Sequence, residues 1–273
     1  MTIAEILVPL CGTPADTGVL DTAFVLAAPS GAHVTALFAI EDAREVVSAQ
    51  DLRESIPARS ARHAGARGQA RQGFADAAKK AGATVDALVE KHAKLSADIL
   101  EMPGDLAEAM AHAALFADLI VFPHDVARGP ARTAFIRVLT ESEKPVLLAG
   151  RDPPAGAPRA IAVGWDGSLP AARALTAALP FLATAKSVDL LTIGEPAGIA
   201  AVEAVDYLAL HGVTASLRPL PPAPAGPALL AAARGADLLV LGAYGHNRLM
   251  ERVFGGATAH VLSHADQLIL LAH

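Results

Sequence analysis

The amino-acid sequence predicts an α/β protein of two tandem doubly wound domains, each a mostly parallel five-stranded sheet with helices on both faces. Short runs of aliphatic residues alternate with alanine-rich helical patterns, an internal repeat divides the chain, and a segment rich in proline and glycine joins the copies. Strands that are apolar on both faces and alternate with helices are typical of parallel sheets covered on both sides.

The composition favours a folded protein without a broad basic surface. Hydrophobic residues make up 53% and charged residues 18% of the 273 residues, and the formal net charge is −6. Nucleic acid and anionic membrane are therefore poor partners. We expect neither a signal peptide nor a membrane helix, because the first residues lack a basic and then apolar pattern and no apolar run reaches about 18 residues. The lone cysteine, Cys11, favours a reducing compartment, so we expect a cytoplasmic protein in which this thiol is a small, partly buried side chain.

The internal repeat has three landmarks in the same order. ILVPLCGT at 6–13 aligns with IAVGWDGS at 161–168, and ADLIV at 117–121 aligns with ADLLV at 236–240. Each copy then ends in an apolar strand, and these two strands, 145–149 and 267–272, are candidates to pair with each other. Repeats of this kind indicate duplicated structural units.

The segment RDPPAGAP at 151–158 reads as a linker, because proline and glycine at this density extend neither a helix nor a central strand. We place domain one at 1–150 and domain two at 159–273. Domain one carries an extra segment, 41–100, which we interpret as a long solvated helix or helical hairpin, with a binding arm as the alternative. The strands predicted for domain two are 160–164, 188–193, 214–220, 238–241 and 268–271, and its helices are 170–182, 198–210, 227–234 and 256–263.

A glycine-rich stretch, GAYGHNRLMERVFGGATAHVL at 242–262, follows the predicted strand 238–241. Gly242 and Gly245 bracket a turn where glycine permits a positive φ and close approach of a ligand. Gly255 and Gly256 then open a helix, whose free N–H groups and positive dipole end suit a phosphate. Three further side chains, those of His246, Arg248 and Thr258, are placed to meet phosphate oxygens.

The opposite wall of this site comes from Asp166-Gly167-Ser168, directly after the first strand of domain two. Asp166 alone is better interpreted as a turn or capping residue. Strands one and four are neighbours in this fold class, however, so Asp166 and Gly242 would face one crevice at the carboxyl ends of the strands. Both roles for Asp166 stay open.

These motifs resemble those of universal stress proteins, in the adenine-nucleotide α-hydrolase-like fold. The resemblance covers both halves, and its most specific part is the Gly-x2-Gly-x9-Gly pattern of Gly242, Gly245 and Gly255; Gly256 stands where the family has Ser or Thr. The resemblance implies ATP or a related adenine nucleotide as ligand, with magnesium. It implies these binding residues: Gly164, Trp165 and Asp166 beside the adenosine, Ile193 against the adenine, Leu241, Gly242 and Gly245 along the ribose and phosphates, and Gly255, Gly256, Ala257 and Thr258 at the phosphate tail.

Domain one lacks the counterpart of this site. Cys11 stands at the position of Asp166, Pro123 stands at that of Gly242, and Gly129 alone remains of the glycines. Proline removes an N–H group and fixes φ, and both effects oppose a phosphate-binding turn. We therefore expect domain one to bind no nucleotide and to form an intramolecular pseudo-dimer with domain two, and a homodimer of whole chains stays open.

Catalytic machinery is not evident in the sequence. His260 and His264 have metal-ligand spacing on one helix but no identifiable third ligand, and Asp118 and Asp237 read as loop or capping residues. The chain has neither a Gly-x-Ser-x-Gly elbow nor a Gly-Lys-Ser/Thr phosphate loop. We expect a stress-response regulatory protein with at most slow, incidental ATP hydrolysis; the alternative is a ligand-free structural or interaction module of the same family.

Overall fold

The structure, a computed structural model, describes residues 2–44, 53–85, 94–194, 198–243 and 256–273. The chain divides into two compact units, Ile3–Ser142 and Glu143–His273, here called the N-terminal and C-terminal units. No helix in the described ranges is both long enough and apolar enough to cross a membrane.

The described part of the N-terminal unit has a parallel sheet with the order β3-β4-β2-β1-β5. Its strands are β1 Glu5–Leu10, β2 His33–Ile40, β3 Thr84–Val85, β4 Ser96–Pro103 and β5 Leu119–Phe122. Its helices are α1 Ala15–Ala27, α2 Ile56–Ala81, α3 Leu106–Ala113 and α4 Arg132–Glu141, with a 3-10 turn at Ala114–Phe116.

Helix α2 is the long helix expected within the extra segment. It spans the 26 residues Ile56–Ala81, and the glycine that caps its C-terminus, Gly82, has a left-handed φ of 67°. Four small or aromatic side chains of its second half are buried, those of Ala70, Phe74, Ala77 and Ala78. The rest of the helix is largely exposed, as expected for a solvated helix that docks along one narrow stripe.

The described part of the C-terminal unit has a sheet with the order β6-β11-β10-β7-β8-β9. Its strands are β6 Val146–Leu148, β7 Ala160–Gly164, β8 Ser187–Ile193, β9 Ser216–Leu220, β10 Leu238–Gly242 and β11 Leu268–Ala272. Its helices are α5 Leu169–Leu182, α6 Ala201–Leu210, α7 Ala225–Ala232 and α8 Gly256–His264. These elements confirm the strands and helices predicted for domain two, within a few residues at each end.

Strand β6 is antiparallel to β11, with Leu148 opposite Ile269, whereas β7 to β11 pair in parallel. This pairing confirms the predicted partnership of the two apolar runs. The compact division falls before β6, while the sequence repeat assigns that run to the first copy. The repeat and the compact units thus divide the chain at different residues.

The repeat is also visible in the backbone. Gly12 and Gly167, which the repeat aligns, have left-handed φ values of 69° and 75°. Asp118 and Asp237 both accept hydrogen bonds from backbone N–H groups at the start of a strand, β1 and β7 respectively. The prediction that these two aspartates are loop residues is confirmed.

Candidate functional site

The candidate site lies at the carboxyl ends of β7 and β10 in the C-terminal unit. The two strands are parallel neighbours, with Ile161 opposite Leu238 and Val163 opposite Val240. The predicted adjacency of strands one and four is therefore confirmed. Ile193 ends β8, which is the neighbour of β7 on its other side, and its side chain is half-buried. Ligands of open α/β sheets bind beyond this edge, where the loops lead into helices.

The loop from β7 to α5 is built by Asp166, Gly167 and Ser168. The Oδ1 atom of Asp166 accepts a hydrogen bond from the backbone N–H of Ser168 at 3.0 Å, which closes the turn. Ser168 is the N-cap of α5, since its hydroxyl oxygen accepts from the N–H of Ala171 at 3.3 Å. The turn role of Asp166 is thus confirmed, and its exposed side chain stays available for the ligand contact that the sequence analysis predicts.

Trp165 is 5% exposed and belongs to the core of the unit. Its indole N–H donates to the backbone carbonyl of Ile199 at 3.0 Å, and its backbone N–H donates to Leu191 at 2.8 Å. A buried indole N–H needs such a partner. The sequence analysis placed Trp165 beside a ligand, whereas both of its N–H groups already serve the fold.

Gly242 is required by packing rather than by a special φ. It continues β10 opposite Ala272, and its φ is not positive. A Cβ atom here would lie 2.5 Å from the backbone nitrogen of Ala171 and 2.7 Å from the carbonyl carbon of Pro170, in the first turn of α5. The predicted positive φ at this glycine is therefore wrong, while the predicted close approach of a ligand to it stays a prediction.

Gly164 is likewise held by close neighbours. A Cβ at this position would lie 2.6 Å from Cδ2 of Leu241 and 3.3 Å from Cδ2 of Leu229. Leu241 and Gly164, both predicted as contacts for the nucleoside, are thus in contact with each other. Leu241 is 5% exposed, so its side chain belongs to the core of the unit.

Helix α8 begins at Gly256, which confirms the predicted helix start. Ala257 and Thr258 in its first turn have half-buried side chains. The first-turn N–H groups of an α-helix have no intrahelical acceptor, and together with the helix dipole they favour an anion. Four predicted contacts, Gly245, His246, Arg248 and Gly255, lie outside the described residues.

The matching loop of the N-terminal unit is filled by a carboxylate of the same unit. Asp16, which is 6% exposed in the first turn of α1, accepts from the backbone N–H of Cys11 at 3.1 Å, of Gly12 at 2.8 Å and of Thr13 at 3.4 Å. Burial raises the pKa of Asp16, against these hydrogen bonds, which lower it. The N–H groups that could otherwise hold an anion are therefore already occupied.

Helix α2 packs closely against the same loop. A Cβ on Gly12 would lie 2.3 Å from the carbonyl oxygen of Ala66 in α2, so only glycine permits this approach. Further along, the segment after β5 folds into turns in which the N–H of Val126 donates to Pro123 and that of Gly129 donates to Asp125. These turns stand where the C-terminal unit has its glycine-rich stretch.

Sequence reasoning missed the roles of Asp16 and Ala66. Asp16 had a detectable signal, because Thr13-Pro14-Ala15-Asp16 fits the S/T-x-x-D/E pattern of a helix start. The close approach of Ala66 to Gly12 joins residues that are distant in sequence, and no local pattern predicts it.

The pair His260 and His264 lies on α8 with its rings stacked, at a centroid distance of 4.2 Å. Nδ1 of His264 is 2.8 Å from the backbone carbonyl oxygen of His260, a hydrogen bond within the helix. Among the described residues, no group of three or more histidine, cysteine, aspartate or glutamate side chains is arranged to hold a metal ion.

Solved structures with this architecture include a universal stress protein from Archaeoglobus fulgidus DSM 4304. The match between the two covers 98% of this chain and 95% of that protein, with 15% sequence identity and a TM-score of 0.69. A functionally unknown protein from Pseudomonas aeruginosa PAO1 covers 99% of this chain and 92% of its own length, with 17% identity and a TM-score of 0.60. The chain has the fold of the universal stress proteins.

A further structure, a universal stress protein in complex with cAMP, matches 43% of this chain and 99% of its own length at 28% identity. Its TM-score is 0.37. No family model matches the sequence, and no curated protein matches it.

Proposed function

We propose that the chain is a tandem universal stress protein that binds ATP, or a related adenine nucleotide with magnesium, in its C-terminal unit. In this proposal it acts as a regulatory binding protein of the stress response in the cytoplasm. The N-terminal unit binds no nucleotide and serves as a pseudo-partner.

The observation that carries this proposal is the contrast between the two strand-end loops. In the C-terminal unit the carboxylate at the end of β7, Asp166, is exposed, and the neighbouring strand β10 leads towards a helix that starts at Gly256. In the N-terminal unit the equivalent loop is filled by Asp16 and covered by Ala66. One edge therefore keeps an exposed carboxylate and a helix whose first-turn N–H groups suit an anion, while the strand-end loop of the other unit is occupied by Asp16 and Ala66.

The residues of the C-terminal edge fit the chemistry of a nucleotide. N–H groups at the start of α8 suit the phosphate tail. The carboxylate of Asp166 can accept hydrogen bonds from ribose hydroxyls or the base, and half-buried Ile193 offers an apolar surface to an adenine ring. Magnesium, which is usually held by phosphates with one or two carboxylates, would be carried mainly by the nucleotide itself.

A binding role is favoured over an enzymatic one. Phosphoryl transfer depends on positioned cations and metal-holding carboxylates around the phosphates. The sequence has no Gly-Lys-Ser/Thr phosphate loop and no nucleophile elbow, so any ATP hydrolysis is expected to be slow and incidental.

A second candidate function is a ligand-free interaction module with the same fold. The structural roles of two predicted ligand contacts favour this second candidate. Trp165 is buried, and its indole N–H donates to the carbonyl of Ile199. Gly242 leaves space for the first turn of α5. Neither arrangement requires a ligand.

Thermal unfolding with and without ATP separates the two candidates. A ligand that binds the folded chain alone raises its stability by RT ln(1 + [L]/Kd). We expect millimolar ATP to raise the Tm of the wild type and to leave that of Gly255→Val unchanged. The matched control is Gly156→Val, since a Cβ at Gly156 meets no atom within 4 Å. It should respond to ATP like the wild type, and a wild type that does not respond would support the ligand-free module.

A further inference from the structure

The N-terminal unit contains a cavity of about 570 Å³ that the nucleotide proposal does not use. It lies at the carboxyl ends of β1 and β2 and is bounded by α2, by Leu106 at the start of α3 and by Pro130. Its volume falls within the range of about 300–1,000 Å³ that is typical of small-molecule sites. The chain therefore closes its phosphate-binding loop in this unit and yet keeps a space large enough for a ligand.

The described part of the wall contains both apolar and charged side chains, and one polar pair, Glu41 with His63, lies among them. The apolar side chains are those of Leu10, Phe38, Ile40, Ile56 and Leu106. The polar pair consists of Glu41, directly after β2, and His63 on α2, with Nε2 of His63 3.5 Å from Oε2 of Glu41. An apolar space with a few converging polar groups is the usual composition of a small-molecule site.

His63 is unsatisfied in a way that points to a ligand. Both of its ring nitrogens are buried, and neither has a hydrogen-bond partner among the described residues. Buried polar atoms are nearly always hydrogen-bonded, so each exception calls for a missing partner. His63 lines the cavity, so a molecule bound there would be within reach of its ring nitrogens.

Glu41 disfavours an anionic ligand at the polar pair. Among the described residues three arginines line the cavity, and each lies within 4 Å of a carboxylate: Arg44 is 3.8 Å from Asp42, Arg62 is 3.0 Å from Glu54, and Arg67 shares Glu101 with Arg71. The backbone N–H groups at the end of β1 are taken by Asp16. A phosphate or carboxylate at the polar pair would lie beside the carboxylate of Glu41, and bringing two like charges together at a partly buried position is costly.

We propose that this cavity binds an uncharged small molecule that carries an amide-type group, with its N–H directed to Glu41 and its carbonyl oxygen to His63. Glu41 offers an acceptor and His63 offers an N–H donor side by side, which matches the adjacent donor and acceptor of an amide. The apolar remainder of the ligand packs against the aliphatic and aromatic wall. This site is independent of the nucleotide site proposed for the C-terminal unit.

The test uses the full chain with ¹⁵N-labelled histidine, and the His63 ring signals are identified by their loss in His63→Gln. The probes are two matched pairs of similar shape: nicotinamide with nicotinate, and benzamide with benzoate. We expect the amides to shift the His63 signals saturably, with Kd values up to about 10 mM, and the carboxylates to bind at least about tenfold more weakly. Absence of a saturable shift with both amides, or equal binding of the carboxylates, would overturn the proposal.

A second variant tests the cavity without altering the polar pair. Ser60→Phe adds a ring to the cavity lining on α2 and should abolish the amide-induced shift. Ala58→Leu is exposed on the same helix outside the lining and should leave that shift intact. Amide binding that survives Ser60→Phe would contradict the assignment.

ATP is the third probe and separates this proposal from the nucleotide proposal. It should leave the His63 signals unchanged, whether or not it binds the C-terminal unit. An ATP-induced shift that Ser60→Phe removes would place a nucleotide in this cavity and overturn the assignment of an uncharged ligand.

Discussion

Asp237 and Ala160 join two neighbouring strands of the C-terminal unit. Oδ2 of Asp237, just before β10, accepts a hydrogen bond from the backbone N–H of Ala160, the first residue of β7, at 2.9 Å. The same oxygen accepts from the N–H of Arg159 at 2.8 Å. Asp118 holds the start of β1 in the same way, through the N–H groups of Ala4 at 2.8 Å and Glu5 at 3.1 Å. In each copy, one carboxylate therefore joins the start of the first strand, β1 or β7, to the residue just before the neighbouring strand, β5 or β10.

Replacing Asp237 by alanine removes the acceptor for both N–H groups. Because the aspartate is exposed and water can partly replace it, we expect a loss of about 1 kcal/mol in the free energy of unfolding, measured with urea. Asp206→Ala on the exposed side of α6 is the control and should change stability by less than about 0.5 kcal/mol. Equal effects of the two substitutions would contradict the structural role of Asp237.

Gly242→Ala tests the packing of α5 against the end of β10. Since the added Cβ would lie 2.5 Å from the nitrogen of Ala171, the substitution forces backbone to shift and should destabilise the unit by about 1–3 kcal/mol. Gly18→Ala is the matched change inside α1, where a Cβ meets no atom within 4 Å. It should stabilise the chain by about 0.5–1 kcal/mol through helix propensity. Urea unfolding of both variants measures the difference, and a neutral Gly242→Ala would refute the packing argument.

Cys11 should be an unreactive thiol. Burial, and then the carboxylates of Asp16, Glu41 and Asp125, raise its pKa to about 12. The thiolate is the reactive form, so at pH 8 we expect iodoacetamide to alkylate the native chain at least about 100-fold more slowly than the urea-unfolded chain. Mass spectrometry follows the reaction at the single cysteine. Similar rates in both states would contradict the raised pKa of the Cys11 thiol.

The contact between α2 and β4 should weaken at low pH, because it includes the ionised carboxylate of Glu101. Arg67 and Arg71 lower the pKa of Glu101 to about 2, chiefly through hydrogen bonds such as that from Nε of Arg71 at 2.7 Å. A carboxylate with a lowered folded-state pKa stabilises the fold above the pKa of the unfolded chain, about 4.3, and this contribution is lost as the pH falls towards about 2.

Carboxyl ¹³C NMR of Glu101 measures this titration directly. The midpoint should be near 2 in the wild type, as the lowered pKa predicts, and should move towards about 4.3 in Arg67→Ala/Arg71→Ala. Arg137→Ala, which removes an exposed arginine paired with Glu141, should leave it unchanged. A wild-type midpoint in the ordinary range would contradict the ion-pair arrangement.

Local pattern predicted most of the fold. Alternation of aliphatic runs and helical segments identified the strands and helices of the second copy, and the fold class that this alternation predicts places strands one and four, here β7 and β10, side by side. These features depend on residues that are close in sequence, where periodicity and turn chemistry act.

The details of the site depend on contacts between distant segments, which no local pattern contains. The indole N–H of Trp165 donates to Ile199, and Gly12 lies directly against Ala66. The polar pair of the N-terminal cavity joins Glu41 with His63. Gly242 had the right residue type for a flexible turn, yet its role is to admit the first turn of α5. The sequence shows that glycine has no side chain at this position, and the fold shows that the backbone of α5 occupies the space that a side chain would need.

Native mass spectrometry of the purified chain with ATP tests the central proposal most directly, because it counts nucleotides per chain. We predict one bound nucleotide per wild-type chain, none in Gly255→Val, and one in Gly156→Val. Two nucleotides per chain would contradict the closed loop of the N-terminal unit. No retained nucleotide in the wild type, at millimolar ATP, would contradict nucleotide binding by the C-terminal unit.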